Sequence, residues 1–356
     1  MQIWKSPHWP NFKHDPVRTA QALAGVVARL GLIEGMHAGL LPDERQEIFL
    51  RAVTGEALAS FGIEGVPLAR SEIEASVVAS MAHRQTVPQR RSDAVAALML
   101  EARAGQGPLT HDVLFHWHRL LFHGIEVEDK GRYRSFSIEI VRGATGRRED
   151  VLYVAPPHDT VPQEMDRFLN WLATDQTPIP IRAAIAHLWF ESIHPFSDGN
   201  GRIGRAIIEH VFAGQGALPF SLSRQIEADK RGYYAALQAG RTQGADCIDA
   251  TPFVLWLLDK LDLGIAEAGN EARFLVCRNA FFVRMSDINP RAAAVLRRLF
   301  SEGQERVEQG ISAGPYSKIA KVSSATATRD LNDLEKSGLI RKGASGGRST
   351  YYEIDW

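Results

Sequence analysis

Cysteine is almost missing from this sequence: Cys247 and Cys277 are the only two in 356 residues, with no Cys-x-x-Cys and no metal-ligand spacing. That excludes a disulfide framework and a thiolate metal site, and leads us to expect a reducing, cytoplasmic setting. No apolar run approaches the ~20 residues needed to cross a bilayer. The opening Met1-Gln2-Ile3-Trp4-Lys5-Ser6-Pro7 lacks a basic segment followed by an apolar one, so neither a secretory leader nor a membrane partner is expected. An excess of one charge is also lacking, since 41 Lys and Arg face 42 Asp and Glu for a net charge of −1. A chain whose main task is to grip nucleic acid would be basic, although one basic patch remains compatible with this balance. Finally, there is no GxxxxGK(S/T) loop, which disfavours an ordinary P-loop ATPase. What remains, 45% apolar and 23% charged residues, is the composition of a globular protein long enough for two or three cores.

Against this plain background one stretch stands out, His194-Pro195-Phe196-Ser197-Asp198-Gly199-Asn200-Gly201-Arg202-Ile203-Gly204-Arg205. Ile181, Ile185, Leu188, Trp189 and Ser192 recur at helical spacing before it, and Pro195 stops that helix. A second helix is expected from near Gly201 through Phe212, its amino end pointing into the loop. Such an end carries unpaired N–H groups and partial positive charge, a ready seat for phosphate. Arg202 and Arg205 share one face and can fork around further phosphate oxygens. Asp198 offers a hard oxygen for Mg2+, and His194 a base of near-neutral pKa for a hydroxyl proton.

The twelve residues resemble the HPFxxGNGRxxR signature of the Fic family, enzymes that mostly move AMP from ATP onto protein hydroxyls. The resemblance implies His194 as the base, Asp198 as the Mg2+ ligand, and Gly199, Asn200 and Gly201 as the cradle of the α and β phosphates. Arg202 and Arg205 would hold the β and γ phosphates. Ser60-Phe61-Gly62-Ile63-Glu64-Gly65 resembles the family's (S/T)xxxE(G/N) inhibitory motif, with Ser60, Glu64 and Gly65 in place. Glu64 would pair with Arg205 where the γ-phosphate belongs; read alone, the hexapeptide is a helix C-cap with left-handed Gly65. Gly131-Arg132-Tyr133-Arg134 is similar to the segment that precedes the family's active site.

Ser137 to Val141 and Val151 to Ala155 alternate as two strands around the glycine-bearing Arg142 to Asp150. By the same resemblance this hairpin is a flap that receives a target by strand addition, with Leu152, Tyr153 and Val154 as docking residues. One of Tyr233 and Tyr234, in an expected helix over 224–238, would stack on adenine; the sequence does not say which.

The fold expected is mainly α: an N-terminal helical domain over 1–104, a Fic-type core with its hairpin over 105–270, and a winged helix over 271–356. Residues 1–16, rich in Trp and Pro, read as an arm lying on the surface. The histidines His111, His116, His118 and His123 form no obvious ligand set and read as surface or hydrogen-bonded residues. Of the C-terminal module, the candidate recognition helix carries Arg329 and Lys336 against Asp330, Asp333 and Glu335, whereas Arg341, Lys342 and Arg348 make the wing the better DNA candidate. Expected partners are ATP with Mg2+, a protein bearing a Ser, Thr or Tyr hydroxyl, DNA or a protein at the winged helix, and a second copy in a homodimer. Rival readings are transfer of another phosphate-containing moiety, removal of AMP with Glu64 positioning water, and a nucleotide-sensing, DNA-binding regulator.

Overall fold

The structure, a computed structural model, describes residues 2–82, 87–141, 151–214, 216–285, 288–343 and 350–356. They divide into two units, one of residues 1–33 and 42–268, the other of residues 34–41 and 269–356. Two helices, α1 (Pro16–Ala38) and the later α11 (Thr251–Arg284), contribute to both. No helix among the described residues is long and apolar enough to cross a membrane.

In the first unit α2 (Pro42–Ile63), α3 (Arg70–Ala82), α4 (Arg91–Ala104) and α5 (His111–Leu121) follow α1. After the hairpin come α6 (Val161–Thr174), α7 (Ile179–Ile193) and α8 (Asn200–Ala213), then α9 (Leu222–Ala228) and α10 (Lys230–Ala239). Helix α7 is the axis of the unit. Its apolar residues run all round it, and Ile181, Ala184, Leu188, Phe190 and Ile193 are all buried, as a helix without a polar face must be. Helix α8 packs against it, and α4 against α8. Helix α2 is fixed to the start of α9 by buried Glu56, which accepts from Ser221 Oγ at 2.8 Å, from Ser223 N at 2.9 Å and from Ser223 Oγ.

Three short sheets are present among the described residues. Strand β1 (Phe12–Lys13) pairs in parallel with β5 (Ile248–Asp249), which pairs antiparallel with β4 (Thr242–Gln243). Thus the N-terminal arm is partly a strand rather than wholly irregular. Its partner lies some 235 residues away, and no local pattern in two residues can announce it. The hairpin is β2 (Glu139–Val141) against β3 (Val151–Val154); its expected turn, Arg142 to Asp150, lies outside the described residues.

Two further expectations change. The helix expected over 224–238 is two helices, because Asp229 ends one and caps the next, accepting from Gly232 N at 3.0 Å. And the helix expected over 253–265 runs on to Arg284, no proline intervening.

The second unit holds α12 (Pro290–Ser301), α13 (Gln304–Glu308), α14 (Ala313–Ala320) and α15 (Ser324–Lys336). Beside them lies a sheet ordered β6 (Ile311–Ser312), β8 (Tyr351–Ile354), β7 (Ile340–Lys342). Ala327, Leu331 and Leu334 of α15 face inward, and buried Asp330 takes Arg291 Nε at 2.8 Å and the Tyr316 hydroxyl at 2.8 Å. Arg348 lies outside the described residues.

Candidate active site

Helix α7 ends in front of Pro195 with His194 in a left-handed conformation, φ 51° and ψ 59°. That backbone costs a residue with a β-carbon about 1–2 kcal/mol, so its surroundings must enforce it. Arg134 does so from the segment before the hairpin. Its Nε donates to His194 O at 2.8 Å, its backbone N–H to Pro195 O at 2.9 Å, and its Nη2 to Pro156 O at 2.6 Å. Burial lowers the guanidinium to about 10, which leaves it charged at neutral pH. The histidine turn and the hairpin's exit are therefore clamped by one side chain.

The loop that follows is held from beneath. Asn200 turns both ends of its amide on Phe196, Oδ1 accepting from the backbone N–H at 2.9 Å and Nδ2 donating to the carbonyl at 2.8 Å. His118, fully buried, stacks on Phe196 at 4.3 Å, with Nδ1 accepting from Gly131 N at 2.9 Å and Nε2 donating to Asp198 O at 3.2 Å, a tautomer assigned from these partners. Burial is the main cause that holds its pKa down at about 4, so the ring is neutral at pH 7. Gly199 takes φ 82°, and a β-carbon there would sit 2.5 Å from Leu121 Cδ2.

His118 has a measurable consequence. A histidine kept neutral in the fold binds its proton more readily when unfolded, so stability is complete above the unfolded value near 6.5 and falls as pH drops toward 4. Chemical denaturation should show that loss, on the order of 3 kcal/mol, and His118→Gln should flatten the slope in this window. An unchanged slope would mean that His118 does not carry it.

At the start of α8 lies a carboxylate from the end of α2. Arg205, whose side chain is 1% exposed, donates from Nε to Ser60 Oγ at 2.9 Å and from Nη2 to Ser60 O at 2.7 Å and Glu64 Oε1 at 2.9 Å. A β-carbon on Gly201 would collide with Glu64 Oε1, so this carboxylate lies on the amino end of α8, where negative charge is favoured. Gly65 caps α2 in the left-handed region at φ 73°. The cap and the contact with Arg205 thus occur together. Arg202 lies between the rings of Phe61, at 5.3 Å, and Phe122, at 5.1 Å, and donates to Asp198 Oδ1 at 3.2 Å. Both arginines therefore have the end of α2 as a neighbour.

Residues 108–212 match the family model described as the Fic/DOC family, and residues 2–82 that of a domain of unknown function, DUF4172. The chain carries a Fic/DOC domain. The protein adenylyltransferase Fic of Culex quinquefasciatus is 33% identical over 128 residues, 34% of this chain and 24% of that one. The protein adenylyltransferase fic-1 of Caenorhabditis elegans is 29% identical over 150 residues, 41% of this chain and 26% of that one. The alignments thus span about a quarter of these relatives. A crystal structure of a Fic family protein from Desulfovibrio desulfuricans G20 shares the fold, with a TM-score of 0.56 at 24% identity over 98% of each chain.

A cavity of about 1190 Å³ opens beside the loop, with Glu64, His194, Gly201, Leu152, Ile140 and Tyr234 on its wall. Of the tyrosine pair, Tyr233 is buried and bonded through its hydroxyl to His187 Nε2 at 2.7 Å, whereas Tyr234 is 46% exposed. Tyr234 is the one with an open face. The hairpin residues divide similarly. Leu152 faces the cavity, Tyr153 is buried with its hydroxyl on Ser192 O at 2.9 Å, and the Val154 carbonyl accepts the Trp4 indole N–H at 2.8 Å. With Gln238 Nε2 on Leu152 O at 3.4 Å, the outer edge of β3 is largely occupied, and Glu139, Ile140 and Val141 of β2 line the cavity. Asp198 is 60% exposed in its side chain, with Oδ1 on Gly199 N at 2.5 Å and Arg202.

Sequence reasoning passed over Phe61, Glu191 and Arg241, and read His118 as a surface or hydrogen-bonded histidine without its place under the loop. The signal for His118 was its place on the inward face of α5 with Leu114, Trp117 and Leu121. For Phe61 it was a buried aromatic inside the hexapeptide.

Proposed function

We propose that the protein transfers AMP from ATP to a Ser, Thr or Tyr hydroxyl of a protein and that the end of α2 restrains this activity. The observation that carries the reading is the Glu64 carboxylate on the amino end of α8, bonded to Arg205 and sharing a cavity with His194. A helix end that draws in its own anion is one suited to phosphates. With Glu64 displaced, the N–H groups of Asn200, Gly201 and Arg202 and the Arg205 guanidinium would cradle the triphosphate.

His194 then takes the hydroxyl proton, the oxygen attacks the α-phosphorus, the bond to the β-phosphate oxygen breaks, and pyrophosphate departs. Asp198 suits Mg2+, since one exposed carboxylate beside an anion seat is the usual protein share of such a site. The ion would supply charge neutralisation on the phosphates.

In this reading Tyr234 covers the adenine, and the target lies along the hairpin on the β2 side rather than on β3. The divisions 1–104, 105–270 and 271–356 serve as restraint, catalyst and accessory module. The second unit has the elements of a winged helix, and three of its basic side chains are answered by acids: Lys336 by Asp333 at 3.2 Å, Lys342 by Glu335 at 2.9 Å and Arg341 by Glu353 at 2.9 Å.

Mass spectrometry of Glu64→Gly incubated with ATP and cell lysate tests the reading. An adenylyl mass on a hydroxyl residue supports it. A different moiety, loss of AMP from a modified protein, or no modification with a salt-dependent shift of a DNA fragment would each overturn it in favour of a named rival.

A further inference from the structure

The turn that carries His194 has a second carboxylate behind it. Glu191 lies one helical turn earlier on α7, 6% exposed, with Oε2 at 3.7 Å from His194 Nδ1. Nδ1 of His194 and Oε1 of Glu191 are both shielded from solvent, and among the described residues neither makes a hydrogen bond. Oε2 of the carboxylate thus faces the unpartnered Nδ1 slightly beyond bonding distance, while Oε1 lies toward Gly204. Hydrogen bonds of catalytic histidines are often this long until substrate closes the site.

The other groups around Glu191 are committed in part, His187 Nδ1 and Arg205 Nη1 having no hydrogen-bond partner among the described residues. His187 is fully buried and gives Nε2 to the Tyr233 hydroxyl. Arg241 donates from Nη2 to the Glu191 backbone carbonyl at 2.9 Å and from Nε to Ser192 Oγ at 3.1 Å. Arg205 is held by Ser60 and Glu64. On the open side His194 meets the cavity, whose wall carries Glu64 from α2, Glu139 from β2, Arg231, Tyr233 and Tyr234 from α10, and Arg241. Burial favours a neutral Glu191, but the neighbouring His194, with His187 and Arg241, outweighs it and holds the carboxyl at about 2. Glu191 is therefore an anion throughout the working pH range.

We infer that Glu191 is a positioning residue for His194: its buried carboxylate holds the imidazole with the proton on Nδ1, leaves Nε2 free to accept the hydroxyl proton, and stabilises the imidazolium so formed. This is the general logic of a carboxylate behind a histidine base. It rests on the proposed role of His194 and adds to it.

The test uses the full chain in the Glu64→Gly background, with α-labelled ATP. Glu191→Gln keeps the volume and removes the charge. It is expected to lower kcat by about 10- to 100-fold, within the range a positioned base contributes, to leave KM for ATP within two-fold, and to move the acid limb of the kcat–pH profile to lower pH. The sign follows because an imidazolium deprived of its anion loses its proton more easily. Glu191→Asp should recover part of the rate and the position of the limb. A Glu191→Gln enzyme with the parent's kcat and limb overturns the inference.

Should Glu191→Gln not fold, nitrogen-15 histidine NMR on the parent decides, with the His194 signal identified by its loss in His194→Ala. Neutral His194 protonated at Nδ1 supports the inference, and protonation at Nε2 overturns it. The two levels separate cleanly. Full activity in His194→Ala removes the base reading, whereas an inactive His194→Ala beside a parent-like Glu191→Gln removes only the role of Glu191.

Discussion

Replacing Glu64 by glycine is expected to raise the rate at which label from α-labelled ATP appears on protein by roughly 10- to 150-fold. The size follows from what the carboxylate contributes where it sits. A hydrogen bond between charged groups contributes about 1.5–3 kcal/mol, and each 1.4 kcal/mol is a factor of ten in the fraction of molecules whose phosphate seat is open. The contact is partly shielded, since Arg205 is 1% exposed in its side chain and Glu64 30%, so salt screens it less than a surface pair. Arg205 remains in place in the variant because Ser60 holds it through both Oγ and the carbonyl. What is lost is the competing anion, not the arginine. Glu64→Gln, which keeps an acceptor but no charge, should fall between wild type and Glu64→Gly. Initial rates at fixed ATP measure this, and equal rates in all three proteins would show that Glu64 does not compete with the nucleotide.

Removing the imidazole should have the opposite effect. In the Glu64→Gly background, His194→Ala is expected to lower kcat by about 10²- to 10⁴-fold, the usual contribution of a positioned general base. ATP affinity should stay within two-fold, because the proposed phosphate seat belongs to α8 rather than to the turn before it. Loss in kcat and kcat/KM together, with nucleotide binding intact, is the signature of an interaction made in the transition state. His194 holds φ 51°, so alanine inherits the same backbone cost; His194→Asn, better tolerated in the left-handed region, controls for folding. Retained transfer in both variants would place the base elsewhere.

Much of this was legible in the chain because the informative residues are close in sequence. The apolar run of α7, the stop at Pro195 and the glycines of the loop prescribe a helix, a turn and a second helix, and the structure holds that arrangement at Ile179–Ile193 and Asn200–Ala213. The same holds for the hairpin, where alternation marks both strands. The contact of Glu64 with Arg205, 141 positions apart, was reached through a motif and not through periodicity.

What escaped depends on distant partners. Residues 12–13 become a strand only because Ile248 and Asp249 lie alongside. Nothing in the apolar pattern of 224–238 marks the break at Asp229, which lies in the side-chain bond to Gly232. Glu191 looked like one more polar residue in a core helix, and only burial beside Nδ1 gives it a role. Tyr233 and Tyr234 are chemically alike in sequence, and it is the His187 bond that buries the first and leaves the second open.

One measurement tests most directly the claim that Glu64 and the nucleotide compete for the amino end of α8. Wild type and Glu64→Gly are incubated in parallel with α-labelled and γ-labelled ATP, and protein-bound label is followed over time. The account predicts slow α-label in wild type, fast α-label in Glu64→Gly, and no γ-label in either. Bound γ-label, or α-label that appears no faster without Glu64, would contradict it.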